Sequence, residues 1–222
     1  MSAKLISYSK PHCPPDEAAV HRSLQDLVAY CARVSNPANQ NNTETNEKLI
    51  KYLIQNNHWS PLEMVSICVE IETTRDIARQ ILRHRSFSFQ EFSQRYAVAD
   101  LGVEYRDARL QDTKNRQNSI DTDNVLLMNR WEIRQQLVEK TAMEAYKWAI
   151  ENNIAKEQAR AVLPEGLTKT RMYMNGTLRS WVHYIQLRSG NGTQKEHRVV
   201  AVACADAIKE VFPMISDLLQ GN

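Results

Sequence analysis

A chain of 222 residues with 42% apolar residues and a formal charge of +2 is long enough for one globular domain with its own core. So small a net charge excludes bulk attraction to nucleic acid or membrane as an organising principle, and any basic patch must be local. The four cysteines, Cys13, Cys31, Cys68 and Cys204, form no CxxC pair, which favours a reducing setting over a disulfide framework. Residues 1–10 lack the apolar run of a signal peptide and no stretch is long and apolar enough to span a bilayer, so a cytoplasmic protein is expected.

Residues 4–9 predict a short first strand, followed by the Pro-rich turn His12-Cys13-Pro14-Pro15. Leu24, Leu27, Val28 and Cys31 then recur at helical spacing, with Ser23 and Asp26 as a capping box at the start. Past a polar loop over 36–45, Leu49, Ile50, Leu53 and Ile54 mark a second helix that ends near Asn56-Asn57. His58-Trp59-Ser60-Pro61 breaks the chain. Residues 65–71 alternate and are β-branched, 75–84 have helical spacing through Ile77, Ile81 and Leu82, and 86–92 alternate again through Phe87 and Phe89. Residues 100–122 are polar and aperiodic and read as a long surface loop or lid. A long helix is predicted over 123–152, with Leu137, Thr141, Ala145 and Trp148 on one stripe, and 156–162 continue helically up to Pro164. Residues 170–177 predict a strand. Residues 178–187 and 196–219 predict helices, the latter with Val200, Ala203, Ala207, Val211, Ile215 and Leu218 on one face. The expected fold is a single α+β domain, a small, mainly antiparallel sheet packed with several helices, including long helices in the C-terminal half.

The chemistry concentrates in residues 83–96, RHRSFSFQEFSQRY, where four arginines or histidines, three serines and a glutamate share fourteen positions. Arginine grips a phosphate or a polarised carbonyl through parallel N–H bonds, and Arg83, Arg85 and Arg95 offer three such forks. In alternating register Phe89, Glu91, Ser93 and Arg95 share a face, which suits an anion; a charged sheet edge that discourages aggregation is the plain alternative. Arg179 and His183 lie four apart on one helix face, Arg188 falls near that helix end, and Arg160 occupies a position where a salt bridge is the ordinary explanation. His58 and His183 belong to no HExxH motif, paired-histidine spacing or acidic cluster, so no metal centre is expected. Cys13 has no evident base beside it. No GxGxxG or GxxxxGK[ST] follows a strand, so neither a Rossmann site nor a P-loop is supported. The residues alone also leave open a non-catalytic nucleotide- or RNA-binding protein that sets Arg83, Arg85 and Arg95 on phosphates and stacks bases on Phe87, Phe89 and Phe92.

Arg83-His84-Arg85, seven further residues, then Ser93 with Arg95-Tyr96 behind it, resembles the signature of the flavin-dependent thymidylate synthases. The likeness extends to Ala32-Arg33-Val34-Ser35, His58-Trp59-Ser60-Pro61-Leu62-Glu63, Gln80, Ala159-Arg160 with Leu163-Pro164, and Arg179 through Arg188, in order along most of the chain. The resemblance implies a homotetramer that binds FAD at subunit interfaces and converts dUMP to dTMP, with 5,10-methylenetetrahydrofolate as one-carbon donor, NADPH as reductant and no cysteine nucleophile. By the same resemblance Gln80, Ile81, Leu82, Arg83, Glu91, Phe92, Ser93, Gln94, Arg95, Arg160 and Arg188 would hold dUMP. Ser60, Arg83, His84, Arg85, Glu91, Thr177, Leu178, Arg179 and His183 would hold FAD. Arg188 would be the catalytic group, a fixed cation over the uracil edge. The chain departs from the family pattern at Gln90, where Asn is usual, at Gln94, where many members carry Gly, and at Gly192, where His is frequent. A related flavin enzyme that acts on another pyrimidine nucleotide, or transfers a different one-carbon unit, would keep the same sites.

Overall fold

The computed structural model describes residues 1–12 and 23–219; Cys13 and the Pro14-Pro15 turn lie outside them, as does the Leu218 side chain. Among the described residues there are six strands: β1 (Ser2–Tyr8), β2 (Ser66–Thr74), β3 (Ser88–Glu91), β4 (Arg109–Gln111), β5 (Ser119–Asp121) and β6 (Lys169–Thr177). The helices are α1 (Leu24–Ala32), α2 (Asn46–Gln55), α3 (Arg75–Ile81), α4 (Val125–Glu151), α5 (Lys156–Ala159), α6 (Leu178–Arg188) and α7 (Lys195–Lys209). Four strands make one antiparallel sheet in the order β1-β2-β6-β3, and β4 and β5 form a separate hairpin. This is the α+β, antiparallel architecture expected from the pattern.

Strand alternation sorts the two faces of the sheet. Ile67, Val69 and Ile71 of β2 and Met172 and Met174 of β6 are fully buried, together with Trp181 and Ile185 of α6 and Val200, Cys204 and Ile208 of α7. The opposite face carries Glu72 paired across the ladder with Arg171, an exposed ion pair that contributes little stability. At Gly176 on β6 an added Cβ would come within 2.4 Å of the Phe87 ring. Glycine therefore lets Phe87 lie on the strand and meet Trp181 edge-on, with ring centroids 4.9 Å apart. That contact anchors the loop between α3 and β3, which carries the Arg83-His84-Arg85 triplet.

Several local expectations hold at the level of single bonds. The hydroxyl of Ser23 accepts from the Asp26 amide at 3.1 Å while the Asp26 carboxylate accepts from the Ser23 amide at 3.0 Å, the reciprocal capping box of α1. α2 stops at Asn56, followed by Asn57 in the left-handed region with φ 58. Other expectations are corrected. The helix read over 196–219 ends at Lys209, and Pro213 opens a separate 3-10 turn, Pro213–Leu218, because proline offers no amide to the preceding turn. Residues 100–122 are not structureless: Val103 bridges Thr168, and the segment contains β4 and β5. On α4 the stripe of Leu137, Thr141, Ala145 and Trp148 faces outward, while Gln135, Ala142, Tyr146 and Ala149 are buried. α4 is apolar on more than one side, so its periodicity does not identify the face that meets the domain.

Candidate active site

The loop after α3 is pinned at both ends. The His84 amide donates to Ile81 at 3.0 Å, the Phe87 amide donates to His84 at 3.3 Å, and the Ser180 hydroxyl at the start of α6 donates to the Ser86 carbonyl at 3.3 Å. The Thr177 hydroxyl caps α6 by accepting from the Ser180 amide. These ties bring the loop to the last turn of α6, where Arg188 donates through Nε to Nε2 of His84 at 2.9 Å. Burial first, then the charges of Arg188 and Arg83, push His84 down to about 4. The imidazole is therefore neutral near pH 7 and free to accept.

Behind this pair lies a polar chain that the sequence reading did not single out. His197 is fully buried, and burial, followed by the charges of Arg188 and His84, pushes it down to about 3. Its Nε2 lies 3.2 Å from the Tyr184 hydroxyl and its Nδ1 3.3 Å from Oε1 of Gln80. Gln80 donates to Gln194 at 2.8 Å, and Gln194 donates to Glu196 at 2.9 Å. Glu196 accepts in turn from Arg109 on the β4 strand. One signal could have exposed this chain: His197 shares a helical stripe with Val200, Ala201 and Cys204, and a polar ring on a buried stripe must find partners.

The guanidinium groups divide by whether an acid meets them. Arg75 is bonded by Glu91 at 3.3 Å and Glu165 at 3.1 Å, Arg95 by Glu157 at 3.1 Å, and Arg179 by Glu63. Arg83, Arg85 and Arg160 have no side-chain hydrogen bond or ion pair among the described residues, and Arg188 has only the neutral His84. A cation kept near other cations without a carboxylate is unfavourable unless an anion or electron-rich group completes it.

The residues singled out by the resemblance fall into two groups. Gln80, Arg83, His84, Arg85 and Arg188 surround the α3–α6 junction, and Ser60, Thr177, Arg179 and His183 follow along α6 and the 3-10 turn Ser60–Met64. There Trp59 and His183 have ring centroids 4.4 Å apart. Ile81 and Leu178 are fully buried, so these two can face a ligand only through their main chain, while Leu82 is partly buried against the core. The second group, Phe92, Ser93, Gln94, Arg95 and Arg160, lies beyond the end of β3. Its turn is closed by the Tyr96 and Ala97 amides donating to Ser93, and it is tied to α5 through Arg95 and through Lys156 donating to the Tyr96 carbonyl at 3.1 Å. Ser93 and Arg95 therefore do not share a strand face with Phe89 and Glu91, because the strand stops at Glu91. No hydrogen bond or ion pair joins a residue of one group to a residue of the other among the described residues. Between the two groups, Oε1 of Glu91 accepts from Arg75 and from the Thr170 hydroxyl at 3.0 Å. A depression of about 610 Å³ beside the second group is lined by Gln90, Phe92, Ser93, Tyr96 and Tyr173. The base-stacking alternative loses one of its rings, since Phe87 is buried against Trp181 and Tyr184.

Comparison with known proteins fits this arrangement. A Paramecium bursaria Chlorella virus 1 protein named "Probable flavin-dependent thymidylate synthase" is 48% identical over 99% of both chains. A Synechocystis protein named flavin-dependent thymidylate synthase is 45% identical over 99% of this chain and 100% of its own. The crystal structure of the UMP/dUMP methylase PolB from Streptomyces cacaoi, bound with 5-Br dUMP, superposes with a TM-score of 0.78 at 25% identity, covering 98% of this chain and 93% of the other. Since the family model "Thymidylate synthase complementing protein" also matches residues 19–214, the chain belongs to the Thy1 family, that of the flavin-dependent thymidylate synthases.

Proposed function

We propose that this protein converts dUMP to dTMP by reductive methylation, with 5,10-methylenetetrahydrofolate as one-carbon donor, NADPH as reductant and bound FAD. The observation that carries the reading is Arg188, a half-buried guanidinium with no carboxylate partner, steadied by a neutral imidazole. A fixed cation at the uracil edge stabilises negative charge developing over N3, O2 and O4, and so makes C5 nucleophilic. This does the work that a thiolate would otherwise do by adding to the ring. The three described cysteines agree with that division of labour: burial pushes the thiols of Cys204, Cys31 and Cys68 up, away from thiolate chemistry at neutral pH.

FAD fits the residues present. Arg83 and Arg85 are exposed cations without an acid, suited to a diphosphate, and His183 with Trp59 offers aromatic surface nearby. In this reading Ser60, Arg83, His84, Arg85, Glu91, Thr177, Leu178, Arg179 and His183 hold the cofactor, with Leu178 acting through its main chain. Once reduced, bound FAD supplies the hydride that completes the methyl group. Gln80, Ile81, Leu82, Arg83, Arg188 and the group Glu91, Phe92, Ser93, Gln94, Arg95 and Arg160 hold dUMP, the arginines of the second group taking the phosphate.

In this reading the protein is a homotetramer in which the second group of one subunit meets the first group of another, which agrees with the lack of any hydrogen bond or ion pair between the two groups among the described residues. α4 supplies a surface to bury: Trp131, Ile133, Leu137, Val138 and Trp148 are all exposed along it. The segment 100–122 is held by Arg109 to Glu196, by Lys195 to Asp121 at 2.8 Å and by Arg106 to Asp76 at 2.8 Å, among other ties, so a lid motion of the hairpin would open the first two of these. No described helix is long and apolar enough to cross a membrane, and the three described cysteines are free, which supports a cytoplasmic location.

Purified protein should take up FAD and show its visible absorbance, dUMP should perturb that spectrum, and tritium should leave C5 of labelled dUMP. A preparation that neither binds FAD nor releases tritium overturns the reading. UMP assayed beside dUMP distinguishes a related methylase acting on the ribonucleotide.

A further inference from the structure

The chain running from Glu196 to Tyr184 has only one self-consistent set of proton positions. A carboxylate accepts and cannot donate. Oε2 of Glu196 is met by Nε2 of Gln194, which turns the Gln194 carbonyl toward Gln80. That carbonyl is met by Nε2 of Gln80, which turns the Gln80 carbonyl toward His197. A carbonyl also only accepts, so the hydrogen of the neutral His197 must sit on Nδ1. Its Nε2 is then bare and accepts from the Tyr184 hydroxyl. If the Gln194 amide is reversed, an oxygen faces the carboxylate, and the later pairs are met only by reversing Gln80 as well and moving the His197 hydrogen to Nε2.

The carboxylate itself is well held. It accepts from Arg109, lies 3.9 Å from Arg106, and occupies the first turn of α7, where the helix dipole favours negative charge. Burial alone would raise its pKa, but bonds from Arg109, Gln194 and its own backbone amide, with the Arg106 charge, bring it below the usual value. It stays ionised near neutral pH.

We propose that Glu196 is a positioning residue: acting through Gln194, its charge fixes the direction in which the Gln80 amide is presented to the pyrimidine nucleotide. The proposal rests on the reading of Gln80 as a nucleotide contact. One negative charge thereby orients two amides, an imidazole and a phenol, and removes a two-fold ambiguity from a residue that must meet the donors and acceptors of a base or ribose. Gln80 itself cannot select between its two orientations, since its oxygen and nitrogen ends have nearly the same shape.

The test uses FAD-loaded protein labelled with nitrogen-15 at histidine, with the His197 signals assigned by their loss in His197→Phe. In the unsubstituted protein His197 is expected to carry its hydrogen on Nδ1. In Glu196→Gln, which can donate as well as accept, the His197 signals should move toward the other tautomer or a mixture. The KM for dUMP should rise by roughly 10-fold, the effect of one charge-assisted bond, while FAD affinity stays within about two-fold. Glu196→Asp should recover the Nδ1 tautomer. If Glu196→Gln does not fold, Gln194→Leu cuts the same chain while leaving Glu196 with Arg109, and should give the same two changes. His197 carrying its hydrogen on Nε2 in the unsubstituted protein, or an unmoved tautomer in both variants, overturns the proposal. A moved tautomer with an unchanged KM preserves the chain and overturns instead the placement of Gln80 on the nucleotide.

Discussion

Arg188 and His84 hold each other in place and in charge state. The guanidinium donates to Nε2 of the ring at 2.9 Å, a bond that exists only while the imidazole is neutral. Burial, assisted by the positive charge of Arg188 itself, keeps the imidazole neutral. His84→Ala should release the guanidinium and lower tritium release from C5 at saturating dUMP by roughly 10- to 100-fold, the range for one bond to a charged group. His84→Asn, which retains an acceptor, should lose less. Rates normalised to FAD content decide the matter, and a His84→Ala enzyme at full rate would show that Arg188 needs no partner.

The two histidines also set a dependence of stability on pH. His84 is held down to about 4 and His197 to about 3, both from an ordinary value of 6.5. Each folded pKa is depressed, so the unfolded chain binds more protons than the folded one between those values. The stability contributed by the neutral rings is complete above about 6.5 and is lost progressively as pH falls toward about 4 and then 3. Melting followed by circular dichroism should show the midpoint falling as pH drops from about 6.5 to 5.5, above the range in which most carboxylates titrate. A flat midpoint over that interval contradicts the assignment of both rings as neutral.

Gly176 is a sharper test of the scaffold. Gly176→Ala places a methyl group within 2.4 Å of the Phe87 ring, itself buried against Trp181 and Tyr184. Denaturant unfolding should show a loss of about 1–3 kcal/mol, the usual cost of overpacking. Pairing it with Phe87→Leu should return part of that loss. An Ala variant as stable as the parent would mean that the loop bearing Arg83 is not seated on β6 as described.

Much of this was legible in the chain because it depends on neighbours in sequence. Ser23 and Asp26 are three apart, so their reciprocal bonds could be read directly, as could the strand alternation of β2 and the breaks at Asn57 and Pro61. The β4–β5 hairpin escaped because its strands are three residues each, RLQ and SID, too short for a period to register. The α4 stripe was rotated because Trp148 and Leu137 are as apolar as the buried Tyr146 and Ala149; periodicity marks apolar positions, not the surface that covers them. Of the candidate site, the Arg83–Arg95 cluster stood out through residue type and spacing, and Arg188 only through the family resemblance. Tyr184, Gln194, Glu196 and His197 did not stand out, since their roles arise from contacts such as Gln80 to Gln194, 114 residues apart.

The outward face of α4 predicts assembly. Leu137→Glu combined with Trp148→Glu places two charges on a surface that the homotetramer would bury. Light scattering should report a smaller species with an unchanged circular dichroism spectrum, and activity should fall with the mass if, as proposed, the dUMP site is shared between subunits. A double variant of unchanged mass would remove α4 from the interface.

The central claim is that a fixed charge, and not a thiolate, activates the uracil ring, and Arg188→Ala tests it most directly. With FAD bound and dUMP saturating, the rate of tritium release from C5 should fall by about 100- to 1,000-fold while the flavin spectrum and the fold persist. Release within a few-fold of the unsubstituted enzyme would contradict it.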